Sequence, residues 1–290
     1  MQRPQTHKNH FIPSFYSKLW ATDGKLWEFS RPYDRVVARQ THPNATGYAI
    51  DIYTEESLPE EHQTHLEDVF LKMVDQQASD ALVYILAGRF DDMGEKHSVA
   101  WVRFLMSLLQ RSPEKIATLR QRWDDELAEP DPEFEAKYQS MKGPDDPETF
   151  HEFMKSRPAS VGRGRVHAIQ NTMDLPRVGT GILQMKWGKL TLNHSRHEFL
   201  TSDRPIIMTN GLARKEGHIA LPLGPRLLFI AANERSTLET IAAMPADELA
   251  LVCNDRVTKQ VERIVIGRTD KPLRFVERNL RKRSEIPTQS

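Results

Sequence analysis

The chain of 290 residues contains a single cysteine, Cys253, which excludes an intramolecular disulfide and fits a reducing compartment. Cys253 falls in an apolar helical pattern and reads as a buried, inert thiol. No apolar run approaches the roughly 20 residues that a membrane helix needs. The opening MQRPQTHKNHF lacks the apolar h-region of a secretory signal. The expected location is therefore the cytoplasm, with no membrane partner. Signatures of particular chemistries are missing too. SVGRGR at 160–165 is followed by no Gly-Lys-Ser/Thr step and preceded by no clear strand, so it reads as a loop and not as a phosphate cradle. No G-x-S-x-G elbow surrounds Ser202.

What is present is ordinary in bulk: 39% hydrophobic and 28% charged residues with a formal net charge of zero, as in a soluble globular protein. That neutrality conceals an asymmetry. Residues 124–148 hold ten acids against two lysines, and residues 256–283, from Arg256 to Arg283, hold ten Lys/Arg against three acids. Both runs fit solvated faces. The basic run is also the candidate surface for nucleic acid or another anionic ligand, although Phe275 is its only aromatic residue and a single-strand platform interleaves several.

Periodicity gives an α+β order. Asp23-Gly24 marks a turn before a strand at 25–29, and short strands are expected at Val36-Val37 and 48–53. Residues 60–87 repeat apolar positions at steps of three and four, predicting a long helix broken near Gln76-Gln77 and stopped by Gly88. VAWVRFLMSLL at 99–109 predicts a buried helix, and Ser112-Pro113 restarts a helix with a cap and a first-turn proline. After a charged helical insertion near 130–156, strands are expected at 187–193, 199–200, 206–208 and 226–232, and a closing helix over 246–266. The expected fold class is α+β, with a helical middle and N-terminal and C-terminal β segments joined around one core. One domain spanning 1–280 is expected, with a polar tail at 281–290.

Several stretches together resemble one family. HKNHFIPSFYSKLWATDGKLWEF, ATGYAIDIYTEE, QRSPEKIATLR, FLTSDRPI, HIALPLGPRLLFI and CNDRVTKQVERIVIG are similar to the motifs of the family catalogued as domain of unknown function 4238, over most of the chain. The resemblance implies a one-domain intracellular protein and carries no activity with it. The chain departs from the family's frequent double histidine, because Asn9 stands beside His10.

Candidate chemistry centres on His197–Leu223, where TSDRP makes a polar corner between two apolar runs. Asp203 fits a turn-forming carboxylate, and equally a carboxylate at a strand end that serves as base, orients a histidine or binds a metal. Ser202 beside it is a substrate-binding candidate. His10 is either satisfied by a backbone carbonyl or paired with Asp203 in a carboxylate–imidazole relay. Arg111, at the end of a buried helix, suits a helix C-terminus or an anionic substrate. Asn254 binds backbone or ligand. H-x-x-H spacing occurs at His7/His10, His62/His65 and His194/His197, without a motif that closes a metal site. The functional expectation is a hydrolase-type enzyme with a His10/Asp203 site, acting on a phosphate-bearing or nucleic-acid substrate. The alternative is a non-catalytic interaction or regulatory protein, such as a defence-associated partner, in which TSDRP is a structural corner.

Overall fold

The computed structural model describes residues 7–128 and 131–280. The chain opens with β1 (Lys8–His10), the single turn α1 (Ser14–Ser17), β2 (Leu26–Ser30), β3 (Val37–Thr41) and β4 (Tyr48–Ile50). Helices follow: α2 (Lys72–Ala87), α3 (Glu95–Gln110), α4 (Pro113–Ala128), α5 (Pro132–Met141), α6 (Phe150–Lys155), α7 (Pro158–Met173) and α8 (Pro176–Gln184). The β pattern resumes with β5 (Lys186–Thr191), β6 (Thr201–Ser202), β7 (Ile207–Thr209), β8 (His218–Pro222) and β9 (Leu227–Ala232). Then come α9 (Arg235–Ala242), α10 (Ala246–Gln260), β10 (Ile264–Gly267) and α11 (Leu273–Asn279). The class is α+β with a helical middle. The tail at 281–290, with the last three cations of the basic run, lies outside the described residues.

The two ends of the polypeptide share a sheet. β10 pairs antiparallel with β2, Val265 opposite Phe29, and with β6 on its other edge, giving the order β3-β2-β10-β6. A second antiparallel sheet runs β5-β9-β8-β7, and β1 and β4 form a separate two-stranded ribbon. The expected Asp23-Gly24 turn is present, with both residues at positive φ (51° and 74°), as a tight hairpin needs. α3 carries Trp101 and Phe104 into the core, where Trp101 meets Phe229 of β9 edge-on at 5.5 Å. Burying each such ring contributes on the order of 2 kcal/mol. Tyr16 donates its hydroxyl to the carbonyl of Pro222 (2.9 Å) and Trp20 its indole N–H to that of Phe199 (2.9 Å). The N-terminal turns are thereby fastened to the late strands.

Three local expectations are corrected. The closing helix stops at Gln260, and Ile264, Val265 and Ile266 form the interior strand β10. Their β-branched side chains suit a buried strand, and the helical spacing of Val261, Ile264 and Val265 is incidental. The 160–165 stretch is helical, inside α7. Its glycines serve close packing, because a Cβ would lie 2.1 Å from Ser57 Oγ at Gly162 and 2.5 Å from the Trp123 ring at Gly164. The irregularity expected near Gln76-Gln77 lies earlier, as a π-helical turn over Leu66–Leu71, while α2 runs unbroken to Gly88. Gly88 closes it at φ 72° with its amide on Ile85 and the next on Tyr84, a left-handed helix end. In the charged insertion, α5 and α6 pack on each other through Phe134, Tyr138, Phe150 and Phe153.

Gly47 sets the position of the β1–β4 ribbon. It has φ +64°, its carbonyl accepts the Ile12 amide at 3.0 Å, and an added Cβ would lie 2.7 Å from Ile12 Cβ. Gly47→Ala is expected to lower unfolding free energy by about 1–3 kcal/mol in urea denaturation. A variant as stable as the parent would show that the ribbon has room to move.

Candidate functional site

Three segments that are distant in sequence converge between the two ends of the chain. The first is the corner between α3 and α4, Arg111-Ser112-Pro113-Glu114. Ser112 caps α4, accepting the Lys115 amide at 3.3 Å, and donates its hydroxyl to Glu262 Oε2 at 3.0 Å. The second is the turn from α10 to β10. There Arg263 Nε donates to Glu114 Oε1 at 2.6 Å, and Arg204 Nη1 donates to Glu262 Oε1 at 3.0 Å. The third is the TSDRP corner after β6. Asp203 is buried, and its two oxygens accept the amides of Glu262 (3.2 Å) and Arg263 (2.5 Å). The Gln260 side chain donates to the carbonyls of Arg204 and Ile206 across the same junction.

Glu262 and Glu114 face each other in this assembly. As two carboxylates they have no donor between them, and Glu114 Oε2 is buried without a partner. Burial holds the Glu262 carboxyl above the usual glutamate range, and the neighbouring Glu114 adds to this against the pull of Arg204. Asp203 is pushed up to about 7, by burial first and by the nearby charges of Glu262 and Glu114, with the two amides opposing.

The acid pair lies in the lining of a cleft of about 1330 Å³. Its lining includes Tyr48 of β4, Thr46 just before it, Glu28 of β2, and Arg256 and Lys259 from the end of α10. Seven Lys/Arg and three glutamates line it, so its field favours an anion. Some of the cations are matched: Arg39 pairs with Glu28, Lys259 with Asp255, Arg204 with Glu262 and Arg263 with Glu114. Among the described residues Arg256 has no ion pair.

Of the residues singled out from the sequence, Arg256, Lys259 and Arg263 of the basic run line this cleft, whereas His10, Arg111, Ser202, Asp203 and Asn254 lie outside its lining. Asp203 is the clasp behind Glu262, and Ser202 Oγ accepts the Arg204 amide at 3.1 Å. His10, on β1, tilts against the Tyr48 ring at 5.7 Å with its Nε2 buried and unpartnered. Burial lowers its pKa, with the charge of Arg111 assisting and a hydrogen bond to the Asn44 backbone opposing. His10 and Asp203 share no hydrogen bond. They are linked through the corner between them, since Arg111 Nη2 donates to the His10 carbonyl at 3.3 Å and Ser112 binds Glu262. Arg111 is buried and grips Asp75 with two bonds, at 2.7 and 3.1 Å, so its charge is matched. Asn254 accepts the Leu200 amide and donates to the Glu198 carbonyl, both at 2.8 Å, and so fixes the approach to β6. Among the described residues no three His, Cys, Asp or Glu side chains converge as a metal site. No helix among them is long and apolar enough to cross a membrane.

Glu114 and Glu262 were not singled out from the sequence. Glu114 reads as a first-turn acid that complements a helix dipole, and Glu262 as one of three acids in a basic run. Both nevertheless sit inside stretches that carry the family resemblance.

The fold and cleft define an α+β protein whose shared terminal sheet supports a carboxyl pair in a largely cationic groove. The chain belongs to the family described as Protein of unknown function (DUF4238), whose profile matches residues 8–271. No curated protein and no solved structure matches the chain.

Asp203→Asn places an amide donor against one of two backbone donors. It is expected to cost about 1–3 kcal/mol of stability. The pH dependence has a definite sign. A carboxyl whose folded pKa lies above its unfolded value stabilises most below the unfolded value, near 4, and loses that contribution as pH rises towards about 7. Thermal melts from pH 4 to 8 should show this loss in the parent and a shallower slope in Asp203→Asn. Equal slopes would contradict the assignment.

Proposed function

We propose that this chain is a hydrolase-type enzyme acting on a phosphate-bearing substrate in the cleft, with Glu262 and Glu114 as its acid–base pair. The observation that carries the reading is two carboxyl groups facing each other within a groove otherwise rich in arginine and lysine. Neighbouring carboxyls of unequal environment divide the two roles between them. Glu114, paired with Arg263, takes a proton from the attacking water. Glu262, whose carboxyl burial holds above the usual glutamate range, gives one to the leaving oxygen, so that one P–O bond forms as another breaks and protons balance. Arg204, Arg263 and Arg256 offset the charge that builds on the phosphoryl oxygens. Asp203 is a positioning residue in this scheme, because it holds the backbone on which Glu262 and Arg263 are carried. His10 supports Tyr48 in the cleft wall. The proposed compartment is the cytoplasm, consistent with a lone Cys253 thiol pushed up to about 12 by burial.

The test is turnover of p-nitrophenyl phosphate and bis-p-nitrophenyl phosphate by the full chain. Glu262→Gln should lower kcat by about 100-fold or more with little change in melting temperature. Activity that needs protonated Glu262 falls as pH rises through its raised pKa, so the residual activity should lose its alkaline limb. No turnover by the parent, or full activity in Glu262→Gln, would overturn the reading. A non-catalytic interaction role is the second reading, favoured by Phe134 (56% exposed) and Met141 (73% exposed) on the acidic helix α5. It predicts loss of partner binding in Phe134→Ser with the cleft untouched.

A further inference from the structure

The basic run at 256–283 has a single aromatic residue along the sequence, Phe275, but the fold brings a tyrosine to it from the other end of the chain. Arg256 and Lys259 line the cleft, and so does Tyr48 of β4. The Tyr48 ring is braced by His10 at 5.7 Å and by Lys8 Nζ, 4.9 Å from its centroid. Arg31 and Pro32 also belong to the lining, and Tyr33, the next residue, lies outside it and is 87% exposed. Arg31 donates to two backbone carbonyls, those of Asp34 and Glu277 (both 2.7 Å), and among the described residues it pairs with no carboxylate, like Arg256. The lining thus combines two guanidiniums that have no carboxylate partner among the described residues with one tyrosine, Tyr48, and a second, Tyr33, stands exposed next in sequence to Pro32.

A small anion would use the cations alone. It would leave the aromatic wall idle and most of the 1330 Å³ empty, a volume above the usual range for a small-molecule site of about 300–1000 Å³. Building on the hydrolase reading, we infer that the ligand is a nucleotide unit, free or within a single strand, with its phosphate on Arg31 and Arg256 and its base stacked on Tyr48 or Tyr33. Stacking accepts any base, because every base presents a π-face, and arginine and tyrosine together form the usual platform for unpaired nucleotides.

The experiment titrates the full parent chain with AMP, ribose 5-phosphate, inorganic phosphate and a single-stranded oligonucleotide of about 12 residues. AMP should bind about tenfold or more tighter than ribose 5-phosphate, as one base stack predicts. Tyr48→Ala or Tyr33→Ala should remove that advantage without weakening ribose 5-phosphate, and Tyr48→Phe should keep it. Arg256→Ala should weaken both phosphates alike and lower the salt slope for the oligonucleotide by about one. An oligonucleotide that outbinds AMP identifies a strand as the source, and the reverse identifies a free nucleotide. Equal affinity for AMP and ribose 5-phosphate, or an AMP advantage that survives both alanine substitutions, would overturn the inference while leaving the hydrolase reading intact. A nucleotide preference in a chain that hydrolyses neither nitrophenyl ester would support this inference and sink the hydrolase reading.

Discussion

The grip of Asp203 on two backbone amides organises this protein. By taking the N–H groups of Glu262 and Arg263, the carboxylate holds the chain where α10 gives way to β10, just past Gln260. Three consequences follow from one clasp. The chain turns into a strand that joins β2 to β6, the sheet shared by the two ends of the polypeptide is completed, and the Glu262 side chain is delivered to the cleft opposite Glu114. A buried carboxyl is costly unless hydrogen-bonded, and here both oxygens are used.

The electrostatics around the clasp sort cations by duty. Arg111 is sealed in the interior with Asp75 and serves the architecture, tying α3 to α2 and to β1 through the His10 carbonyl. Arg204 and Arg263 each hold one member of the acid pair in place. Arg31 and Arg256, with no acidic partner among the described residues, give the groove its remaining attraction for an anion. A basic run in the sequence has therefore been dispersed: Arg268 pairs with Glu198 and Lys259 with Asp255, and only part of it faces the cleft.

Much of the architecture was legible in the sequence because its signals are local. Apolar spacing marked α2 and α3, Gly88 and Ser112-Pro113 marked their boundaries, and Asp23-Gly24 marked the first hairpin. β10 was not legible, because Val261, Ile264 and Val265 continue the stripe of α10, and what stops that helix is a carboxylate distant in sequence. The glycines of α7 misled for a similar reason: they answer to Ser57 and Trp123, which only the tertiary packing brings near. The candidate site was half legible. Asp203, Arg111 and His10 lie in the segments that build the cleft, but the side chains that reach its lining are their neighbours, Arg204, Glu114 and Phe11. A pair such as Glu114 and Glu262 carries no sequence pattern, because each is ordinary until the fold sets them face to face.

The most direct measurement is the carboxyl ¹³C titration of Glu262 by NMR, in the parent and in Asp203→Asn. Burial of Glu262 beside Glu114 predicts a Glu262 midpoint above that of the exposed glutamates, falling back towards theirs when the clasp is loosened. A midpoint within the ordinary range of about 4.3 in the parent chain would contradict the account.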